Sequence, residues 1–328
     1  MSGERLVAVS YPAGEEYAQM TAEVLGGDAS IAFLQREAEA DRPKVLARAE
    51  ALICWNPRRE LPDGALGQAA DLRFVQLLSA GADDVDFGAI PDRAVLAGNV
   101  GAYAAPIAEH VLAMTLALAR RLPQRHAALA AGEFNQSEPL ITLDGAVCAI
   151  LGYGGIGRAT AALLRPFGAR IHAVNTTGGT GDPVEFAGTL ADLDQVLAAA
   201  DVLVISLPLT RTTRGLIGAR ELALMKPDAI LVNVARGAIV DERALYEHLR
   251  ARPRFCAGID AWWHEPRGGA SFRTDFPFFD LPNLLGSPHN SGIVPGVLLS
   301  AAGKAAENVR RYLRGEAVTG VMRREDYL

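Results

Sequence analysis

The sequence of 328 residues predicts an α/β protein with two doubly wound parallel-sheet domains. Strand-like and helix-like segments alternate along the whole chain, a pattern that is typical of parallel sheets covered by helices. A chain of this length usually forms about two domains. In addition, a glycine-rich turn stands between an apolar run and a helix-like stretch near the middle of the chain.

The first hundred residues predict a flavodoxin-like domain that has no glycine fingerprint of its own. Short apolar runs separated by helical stretches indicate buried parallel strands. The predicted strands are Leu6 to Val9, Ile31 to Leu34, Leu52 to Trp55, Phe74 to Leu77 and Val95 to Leu96.

The glycine-rich turn at residues 152–157 fits the pattern G-x-G-x-x-G. The apolar run before it predicts a buried strand, and residues 158–167 predict a helix. In this context Gly152 permits a tight turn, Gly154 lets the backbone approach a pyrophosphate, and Gly157 lets the helix pack close to the strand. We therefore predict a dinucleotide site, with the phosphates at the N-terminus of the helix.

Later segments complete a second sheet of about six parallel strands. A helical tail from about residue 294 has no strand to join, so we expect it to pack on the first domain. The prediction is a Rossmann cofactor domain of residues 102–290 inserted in a flavodoxin-like substrate domain of residues 1–101 and 291–328. Ligands of such sheets bind beyond the carboxyl ends of the strands, so we expect the site in the cleft between the domains. The further predicted strands are Arg170 to Val174, Val202 to Leu207, Ile230 to Val234, Cys256 to Ile259 and Leu284 to Leu285.

The composition excludes several classes of protein. The net charge of −6 and the absence of a basic run argue against a nucleic-acid partner. The three cysteines lack the spacing of a disulfide framework or a metal site, so we predict no metal. No signal-peptide core follows the N-terminus, and the longest apolar stretch, residues 111–119, is too short to span a bilayer. We therefore predict a cytoplasmic protein with no membrane partner.

Three chemically active side chains follow predicted strands of the second sheet. Arg236, Glu265 and His289 each lie shortly after a buried strand, at the edge where ligands bind. An arginine can clamp a carboxylate with two parallel hydrogen bonds, and a histidine beside a carboxylate suits acid/base chemistry. This combination predicts an enzyme that acts on a small organic acid.

The chain resembles the D-isomer-specific 2-hydroxyacid dehydrogenase family over nearly its whole length. The resemblance rests on the glycine turn, on the Asn-Val-Ala-Arg-Gly segment at 233–237, on the downstream Glu-Pro and Pro-His pairs, and on three shorter motifs. Those motifs are Ala108-Glu109-His110, Leu207-Pro208-Leu209-Thr210 with Thr213, and Met225-Lys226-Pro227.

The resemblance implies transfer of hydride between NAD(P)H and a small 2-oxo acid or D-2-hydroxy acid. Arg236 would bind the substrate carboxylate and polarise the reacting carbonyl. His289 would be the acid/base, and Glu265 would orient it and favour its protonated form. The backbone N–H groups of Ser79, Ala80 and Gly81 would receive the substrate carboxylate together with Arg236 and His289.

The resemblance also implies a set of cofactor contacts and a homodimer. Asp260 would hold the nicotinamide amide, Leu207 and Pro208 would flank the adenine, and residues 121–142 would form a dimerisation arm. The full cofactor set is Gly152, Gly154, Gly155, Ile156, Gly157, Asn175, Thr176, Thr177, Leu207, Pro208, Thr213, Val234, Ala235, Asp260 and Gly292.

One departure from the family bears on the choice between NAD and NADP. Family members that use NAD usually have an acidic residue at the end of the second strand of the cofactor domain, where it binds the ribose 2′-hydroxyl. Here Asn175 stands at that position, and the nearest downstream carboxylate is Asp182. No Arg or Lys lies at 175–181, and the hydroxyls of Thr176 and Thr177 would bind a phosphate weakly. The sequence therefore favours relaxed use of NAD and NADP, with a slight preference for NADP.

A second departure is the aromatic segment that follows Trp262 and Trp263, which looks longer than in the family. Its phenylalanines either fill a core or form the wall of an active site or a subunit contact. Arg267 and Arg273 in this segment would add positive charge at the mouth of the cleft. The substrate therefore stays open between glyoxylate or hydroxypyruvate and a larger, doubly anionic or phosphonate-like acid.

Two other functions remain as alternatives. Corepressors that resemble this family bind a dinucleotide and partner proteins, although this chain shows no recognisable partner motif. Relatives that oxidise phosphite keep the Arg, Glu and His, so phosphite is a possible substrate, whereas those that oxidise formate have Gln where this chain has Glu265.

Overall fold

The computed structural model describes residues 5–83, 85–266 and 269–327. The chain forms two compact units, Met1–Tyr103 with Val294–Leu328, and Ala104–Ile293. The corresponding limits predicted from the sequence are residues 102 and 290. The assignment of one unit to substrate and the other to dinucleotide stays a prediction at this point.

The first unit contains a five-stranded parallel sheet with the order β2-β1-β3-β4-β5. This order is that of flavodoxin-like folds, as predicted. The five predicted strands are all present, and their ends shift by at most one residue. They are β1 (Leu6–Val9), β2 (Ser30–Phe33), β3 (Ala51–Cys54), β4 (Phe74–Leu77) and β5 (Val95–Ala97).

Helices cover the sheet of the first unit, and one of them comes from the C-terminal end of the chain. In that helix, at Val297–Leu313, Asn308 donates a 2.6 Å hydrogen bond to the side chain of the buried Gln76. A buried amide needs such a partner, so the pair fixes the tail on this unit. The other helices of the unit are α1 (Glu15–Leu25), α2 (Arg42–Arg48), α3 (Pro57–Glu60) and α4 (Ala65–Gln68).

The second unit contains a seven-stranded parallel sheet with the order β12-β11-β10-β9-β6-β7-β8. The predicted number of about six strands was therefore one too low. The missed strand, Phe186–Gly188, is only three residues long and lies at the edge of the sheet, so its sequence carries no long apolar run. The strands are β6 (Val147–Leu151), β7 (Arg170–Val174), β8 (Phe186–Gly188), β9 (Val202–Ile205), β10 (Ile230–Asn233), β11 (Cys256–Ile259) and β12 (Leu284–Gly286).

The helices of the second unit complete the doubly wound architecture, and the predicted fold class is confirmed. The helix that begins at Ala104 ends at Ala119, because Arg121 adopts a left-handed backbone conformation with a φ of 49° and a new helix follows. The helices are α5 (Ala104–Ala119), α6 (Leu122–Ala130), α7 (Gly155–Leu164), α8 (Leu193–Ala199), α9 (Ala219–Leu224) and α10 (Glu242–Ala251), and the C-terminal helix of the first unit is α11 (Val297–Leu313).

The order of the second sheet places a topological switch point at β6. This strand lies between β7, which follows it in the chain, and β9, which does not. Chain connections leave β6 and β9 in opposite directions, so a crevice opens at their carboxyl ends, where ligands of doubly wound sheets bind. The glycine turn at 152–157 begins directly after β6 and therefore lies at this point.

Two further properties of the chain are visible in the fold. The three cysteines are buried and not bonded to one another, and burial raises the pKa of the Cys148 thiol to about 12. Across the described ranges, no helix has both the length and the apolar character needed to cross a bilayer.

Candidate active site

The glycine turn has the close approaches that the sequence pattern predicts. Gly152 has a φ of +97°, and a Cβ atom built there would lie 2.6 Å from the backbone carbon of Ser206. A Cβ on Gly157 would lie 2.3 Å from the carbonyl oxygen of Gly152. Gly154 differs from both, because a Cβ there would meet no atom within 4 Å. Packing therefore demands glycine at 152 and 157 but leaves open space at 154.

The open space at Gly154 lies at the start of α7. Gly154 is the N-cap residue of this helix, and no side chain caps it. The first N–H groups of a helix have no partner within the helix, and the helix dipole makes this end attractive to anions. The turn therefore fits a pyrophosphate, which Gly155 and Ile156 would bind through backbone N–H groups.

The loop after β9 contains three predicted cofactor residues that the glycine turn approaches. Leu207 is partly buried against the core of the unit. The hydroxyl of Thr213 donates to the carbonyl of Pro208 at 2.7 Å and accepts the backbone N–H of Thr210 at 2.8 Å. Thr213 thus closes this loop on itself, and its contact with a cofactor stays a prediction.

Arg236 is positioned by a turn that its neighbours shape. The side chain of the buried Asn233, the last residue of β10, accepts the N–H of Ala235 at 3.0 Å and donates to the carbonyl of Arg236 at 3.0 Å. The guanidinium of Arg236 donates to the carbonyl of Ala235 at 2.7 Å. A Cβ on Gly237 would lie 2.4 Å from the backbone carbon of Trp262, so this turn packs directly on the segment after β11.

His289 and Glu265 are in direct contact. The Nδ1 atom of His289 lies 2.7 Å from Oε1 of Glu265, and the same oxygen accepts the N–H of Trp262 at 3.0 Å. The side chains are 33% and 17% exposed, so the pair is partly shielded from water while the imidazole stays accessible. His289 has a φ of +51°, a strained conformation for a residue other than glycine and one that is frequent at functional sites.

Asp260 lies in the interior of a hydrogen-bond network behind this pair. Its carboxylate has no exposed surface, and it accepts the hydroxyl of Ser287 at 2.5 Å and the N–H groups of Asn290 and Ser291 at 3.2 and 3.3 Å. Burial alone would raise the pKa of Asp260, but these hydrogen bonds and two nearby histidines outweigh it and lower the pKa. The contact of Asp260 with a nicotinamide amide stays a prediction, because the structure gives this carboxylate internal partners.

The network includes a histidine to which the sequence analysis assigned no role. Nε2 of His110, on α5, lies 2.9 Å from the hydroxyl of Ser287, which in turn bonds Asp260. The sequence shows His110 only as part of a motif, and its distance of 177 residues from Ser287 hides the contact. Hydrogen bonds to His110 on α5 and to Asp260 after β11 thus hold the loop that carries His289.

The strand order brings Arg236, Glu265 and His289 to one edge of the sheet. They follow β10, β11 and β12, which are neighbours in that order, and parallel strands place all three carboxyl ends at the same edge. Arg236 and His289 follow strands two positions apart, a separation of about 10 Å between strand axes. Val234, Ala235 and Gly292 lie in the same connections.

The predicted carboxylate loop lies in the first unit. Ser79, Ala80 and Gly81 follow the carboxyl end of β4, and the hydroxyl of Ser79 donates to the carbonyl of Gly81 at 2.8 Å. This bond makes a tight turn at an edge where ligands of parallel sheets bind.

The end of β7 has no carboxylate, and Asn175 points its amide into its own loop. The amide oxygen accepts the N–H groups of Thr177 and Gly178 at 2.9 and 2.8 Å, and the amide nitrogen donates to the carbonyl of Gly179 at 2.8 Å. Asn175 therefore shapes the loop, while Thr176 and Thr177 are exposed on it.

The aromatic segment fills a core in part, and its role as an active-site wall or a subunit contact stays a prediction. Phe278 is completely buried in the core, whereas Phe272 and Phe279 are 42% and 62% exposed and pack against the ring of Trp262. Arg273 forms an ion pair with Asp275. The other arginine predicted to add charge there, Arg267, lies outside the described residues.

Three possible metal ligands meet beside this segment, although the sequence analysis predicted no metal. The ligand atoms of Glu242, His264 and Asp275 lie within 4.8 Å of one another. The guanidinium of Arg273 already bonds Asp275 and lies 3.4 Å from Nδ1 of His264. An arginine therefore supplies the positive charge of this cluster.

Comparison with known proteins identifies the family of the chain. The family model "D-isomer specific 2-hydroxyacid dehydrogenase, NAD binding domain" matches residues 112–291. A D-3-phosphoglycerate dehydrogenase of Mycobacterium leprae is 32% identical over 309 residues, which are 93% of this chain and 57% of that protein. A glycerate dehydrogenase of Methylorubrum extorquens is 30% identical over 259 residues, with 76% of this chain and 79% of that protein covered.

Solved structures agree with this result. The D-isomer specific 2-hydroxyacid dehydrogenase from Xanthobacter autotrophicus Py2, in complex with NADPH and MES, has a TM-score of 0.78 and 27% identity, and 99% of each chain is covered. The matching family model is named for an NAD binding domain, and the similar structure from Xanthobacter autotrophicus contains NADPH. The chain belongs to the family of D-isomer-specific 2-hydroxyacid dehydrogenases. It spans about half the length of several phosphoglycerate dehydrogenases that it matches, 48% and 57% in two cases.

Proposed function

We propose that this protein reduces a small 2-oxo acid to a D-2-hydroxy acid, or catalyses the reverse reaction, with NAD(P) as cofactor. The observation that carries the proposal is the 2.7 Å contact between His289 and Glu265, at the sheet edge that also presents Arg236. A histidine paired with a carboxylate beside an arginine matches the requirements of a carbonyl reduction, which needs a proton donor and a group that binds the acid.

His289 is the proposed acid/base. Its Nδ1 atom is held by Glu265, so Nε2 is the nitrogen that can deliver a proton to the developing alkoxide or take one from the hydroxyl. Arg236 clamps the substrate carboxylate and polarises the carbonyl through its planar fork. The nicotinamide, when bound, supplies or accepts the hydride.

The carboxylate of the substrate has a second proposed partner in the first unit. The turn of Ser79, Ala80 and Gly81 would donate backbone N–H groups to it. Backbone donors of a tight turn bind anions without the entropic cost of ordering a long side chain. Asp260 and the glycine turn belong to the proposed cofactor contacts.

We further propose that the enzyme accepts NADPH at least as well as NADH. Asn175 carries no charge, so the repulsion that an acidic residue would exert on a 2′-phosphate is missing. The complex of the Xanthobacter autotrophicus protein with NADPH supports the same preference. The measurement is the ratio of kcat/KM for NADPH over NADH, and a ratio far below one would refute this preference.

The substrate is proposed to be one of the small 2-oxo acids. Relatives are named phosphoglycerate, glycerate and glyoxylate enzymes, which supports a panel of glyoxylate, hydroxypyruvate, pyruvate and bulkier 2-oxo acids. The test follows the absorbance of NADPH and NADH with each acid, and phosphite with the oxidised cofactors serves as the alternative. If phosphite were oxidised and none of the 2-oxo acids were reduced, the protein would be a phosphite dehydrogenase instead. Tight cofactor binding without turnover of any substrate would favour a cofactor-sensing protein.

The role of His289 is tested with the substitution His289→Asn. Asparagine tolerates the left-handed backbone conformation that this position requires, so the loop should keep its shape while the acid/base is lost. We expect kcat to fall by about 10²–10⁴-fold while NADPH still binds. Full activity of this variant would show that another group transfers the proton.

We also propose a homodimer formed through the arm at residues 121–142. The described part of the arm exposes large apolar side chains, with Leu129 57% and Phe134 76% accessible. A group of exposed apolar residues on one segment is typical of a surface that a partner covers.

A further inference from the structure

An arginine of the glycine-turn helix reaches the loop after β7. The Nη2 atom of Arg158 lies 3.3 Å from the hydroxyl of Thr180, and its Nε atom lies 3.3 Å from a carboxylate oxygen of Asp182. Arg158 is the fourth residue of α7, so its backbone stays next to the phosphate-binding turn while its side chain, 55% exposed, crosses to this loop.

The same loop contains the position that distinguishes NAD from NADP. The end of the strand after the glycine motif contacts the adenine ribose in dinucleotide-binding sheets. Asn175 lies at that end of the strand. Both the oxygen and the nitrogen of its side-chain amide form hydrogen bonds within its own loop, so Asn175 does not take the role of a carboxylate that binds a ribose hydroxyl. Thr176 and Thr177 lie next to it and are exposed, and the hydroxyl of Thr177 donates to the amide oxygen of Asn175 at 3.0 Å.

The sequence alone suggests that this loop has no cationic side chain to bind a phosphate, because no Lys or Arg lies at 175–181. The fold removes that objection, since the side chain of Arg158, on α7, contacts Thr180 and Asp182 of this loop. A guanidinium binds phosphate oxygens with two parallel hydrogen bonds, and this geometry suits a terminal phosphate better than a neutral hydroxyl.

We propose that Arg158 binds the 2′-phosphate of NADP, with the hydroxyl of Thr176 as an additional donor. The inference rests on the proposed dinucleotide site and adds the group that selects between the two cofactors. Asp182 holds Arg158 at the loop in a partly exposed ion pair. Such pairs contribute little free energy, so the guanidinium can turn from the carboxylate to a phosphate at small cost.

The test compares two nucleotides that differ only in the 2′-phosphate. Binding of adenosine 2′,5′-bisphosphate and of adenosine 5′-monophosphate is measured by calorimetry on the 328-residue chain, without any turnover. In Arg158→Gln we expect the Kd of the bisphosphate to rise about tenfold or more, and that of the monophosphate to change less than about twofold. In Asp182→Asn the bisphosphate should bind about two- to threefold more tightly, because a competing carboxylate is gone.

A matched control is the substitution Arg170→Gln. Arg170 is also exposed, but it starts β7 and bonds the carbonyl of Gly145 at 3.1 Å, so it lies at the opposite end of the strand from the loop. Its replacement should leave both affinities unchanged. Arg158→Lys keeps the charge without the planar fork, and it should bind the bisphosphate with intermediate affinity.

Two results would overturn the inference. One is an equal change for both nucleotides in Arg158→Gln, which would indicate a general effect on the site. The other is no change for either nucleotide. If the unaltered protein bound neither nucleotide, nor NADH and NADPH, the proposed dinucleotide site itself would fail, and that outcome is distinct from the first two.

Discussion

Glu265 holds His289 through a single carboxylate oxygen. Oε1 lies 2.7 Å from Nδ1 of His289 and also accepts the backbone N–H of Trp262 at 3.0 Å. The backbone bond fixes the carboxylate, and the fixed carboxylate orients the ring. Orientation of this kind is what a general acid needs to meet a reacting oxygen repeatedly at the same angle.

The substitution Glu265→Gln should therefore separate the effect of the carboxylate's negative charge from the effect of its hydrogen bonds. Glutamine keeps an oxygen that can accept both hydrogen bonds but removes the negative charge that stabilises an imidazolium. We expect kcat to fall about 10- to 100-fold, while the Kd of NADPH, measured by fluorescence, changes less than about twofold. Glu247→Gln, an exposed position on α10, serves as the control, and equal loss in both variants would contradict the assigned role.

Alanine substitutions at two glycines of the same turn should affect different properties, stability in one case and cofactor affinity in the other. Gly157→Ala places a methyl group 2.3 Å from a carbonyl oxygen, so we expect the free energy of unfolding to fall by about 1–3 kcal/mol. Gly154→Ala meets no protein atom, so stability should stay unchanged while the Kd of NADPH rises about tenfold or more. Denaturant unfolding and cofactor titration measure the two effects. Normal cofactor affinity in Gly154→Ala would mean that no pyrophosphate approaches this position.

A partly buried histidine, His248, predicts how stability depends on pH. Burial, with a smaller effect of Arg252, lowers the pKa of His248 to about 4, and its Nε2 atom has no hydrogen-bond partner among the described residues. The unfolded chain, with a pKa near 6.5, binds a proton more readily than the folded one. Stability should therefore decrease as the pH falls from about 6.5 towards 4. Because solvent screens this half-buried group, we expect a cost of about 1 kcal/mol at pH 5.

The substitution His248→Gln tests that contribution. The free energy of unfolding of both proteins is measured at pH 7 and pH 5, and the loss between the two pH values should be smaller in the variant by about 1 kcal/mol. Identical losses in the two proteins would show that His248 is already protonated or solvated in the folded state.

The arm at 121–142 predicts the oligomeric state. Phe134→Ser removes the most exposed large apolar side chain of the described residues, so it should weaken the proposed dimer without disturbing a core. Light scattering after size-exclusion chromatography should show twice the chain mass for the unaltered protein and a shift towards the single mass for the variant. Phe167→Ser, at another exposed phenylalanine of the same unit, is the control, and a monomeric unaltered protein would refute the dimer.

Most of the fold was predictable because the signals are local. Apolar runs bounded by turns predicted eleven of the twelve described strands at their places along the chain, and the glycine pattern predicted the turn after β6. The exception was β8, which has three residues and lies at the edge of its sheet, where little burial is required. A short edge strand needs only hydrogen bonds from one neighbour, so its sequence carries little hydrophobic pattern.

The candidate site was predictable only in part. Arg236, Glu265 and His289 could be selected because each follows a buried strand, and parallel strands end at one edge. The contact of His110 with Ser287, and through it with Asp260, had no sequence signal, because helix α5 and β12 are 177 residues apart at this contact.

The sequence by itself determined the alternation of strands and helices, the glycine turn and the order in which chemically active residues follow the strands, since each depends on neighbouring residues. Only the tertiary structure decided that Asp260 is enclosed by internal donors and that Arg158 crosses to the loop after β7. Such contacts depend on how a helix is rotated against a sheet. That rotation results from packing across the whole core, and no single segment encodes it.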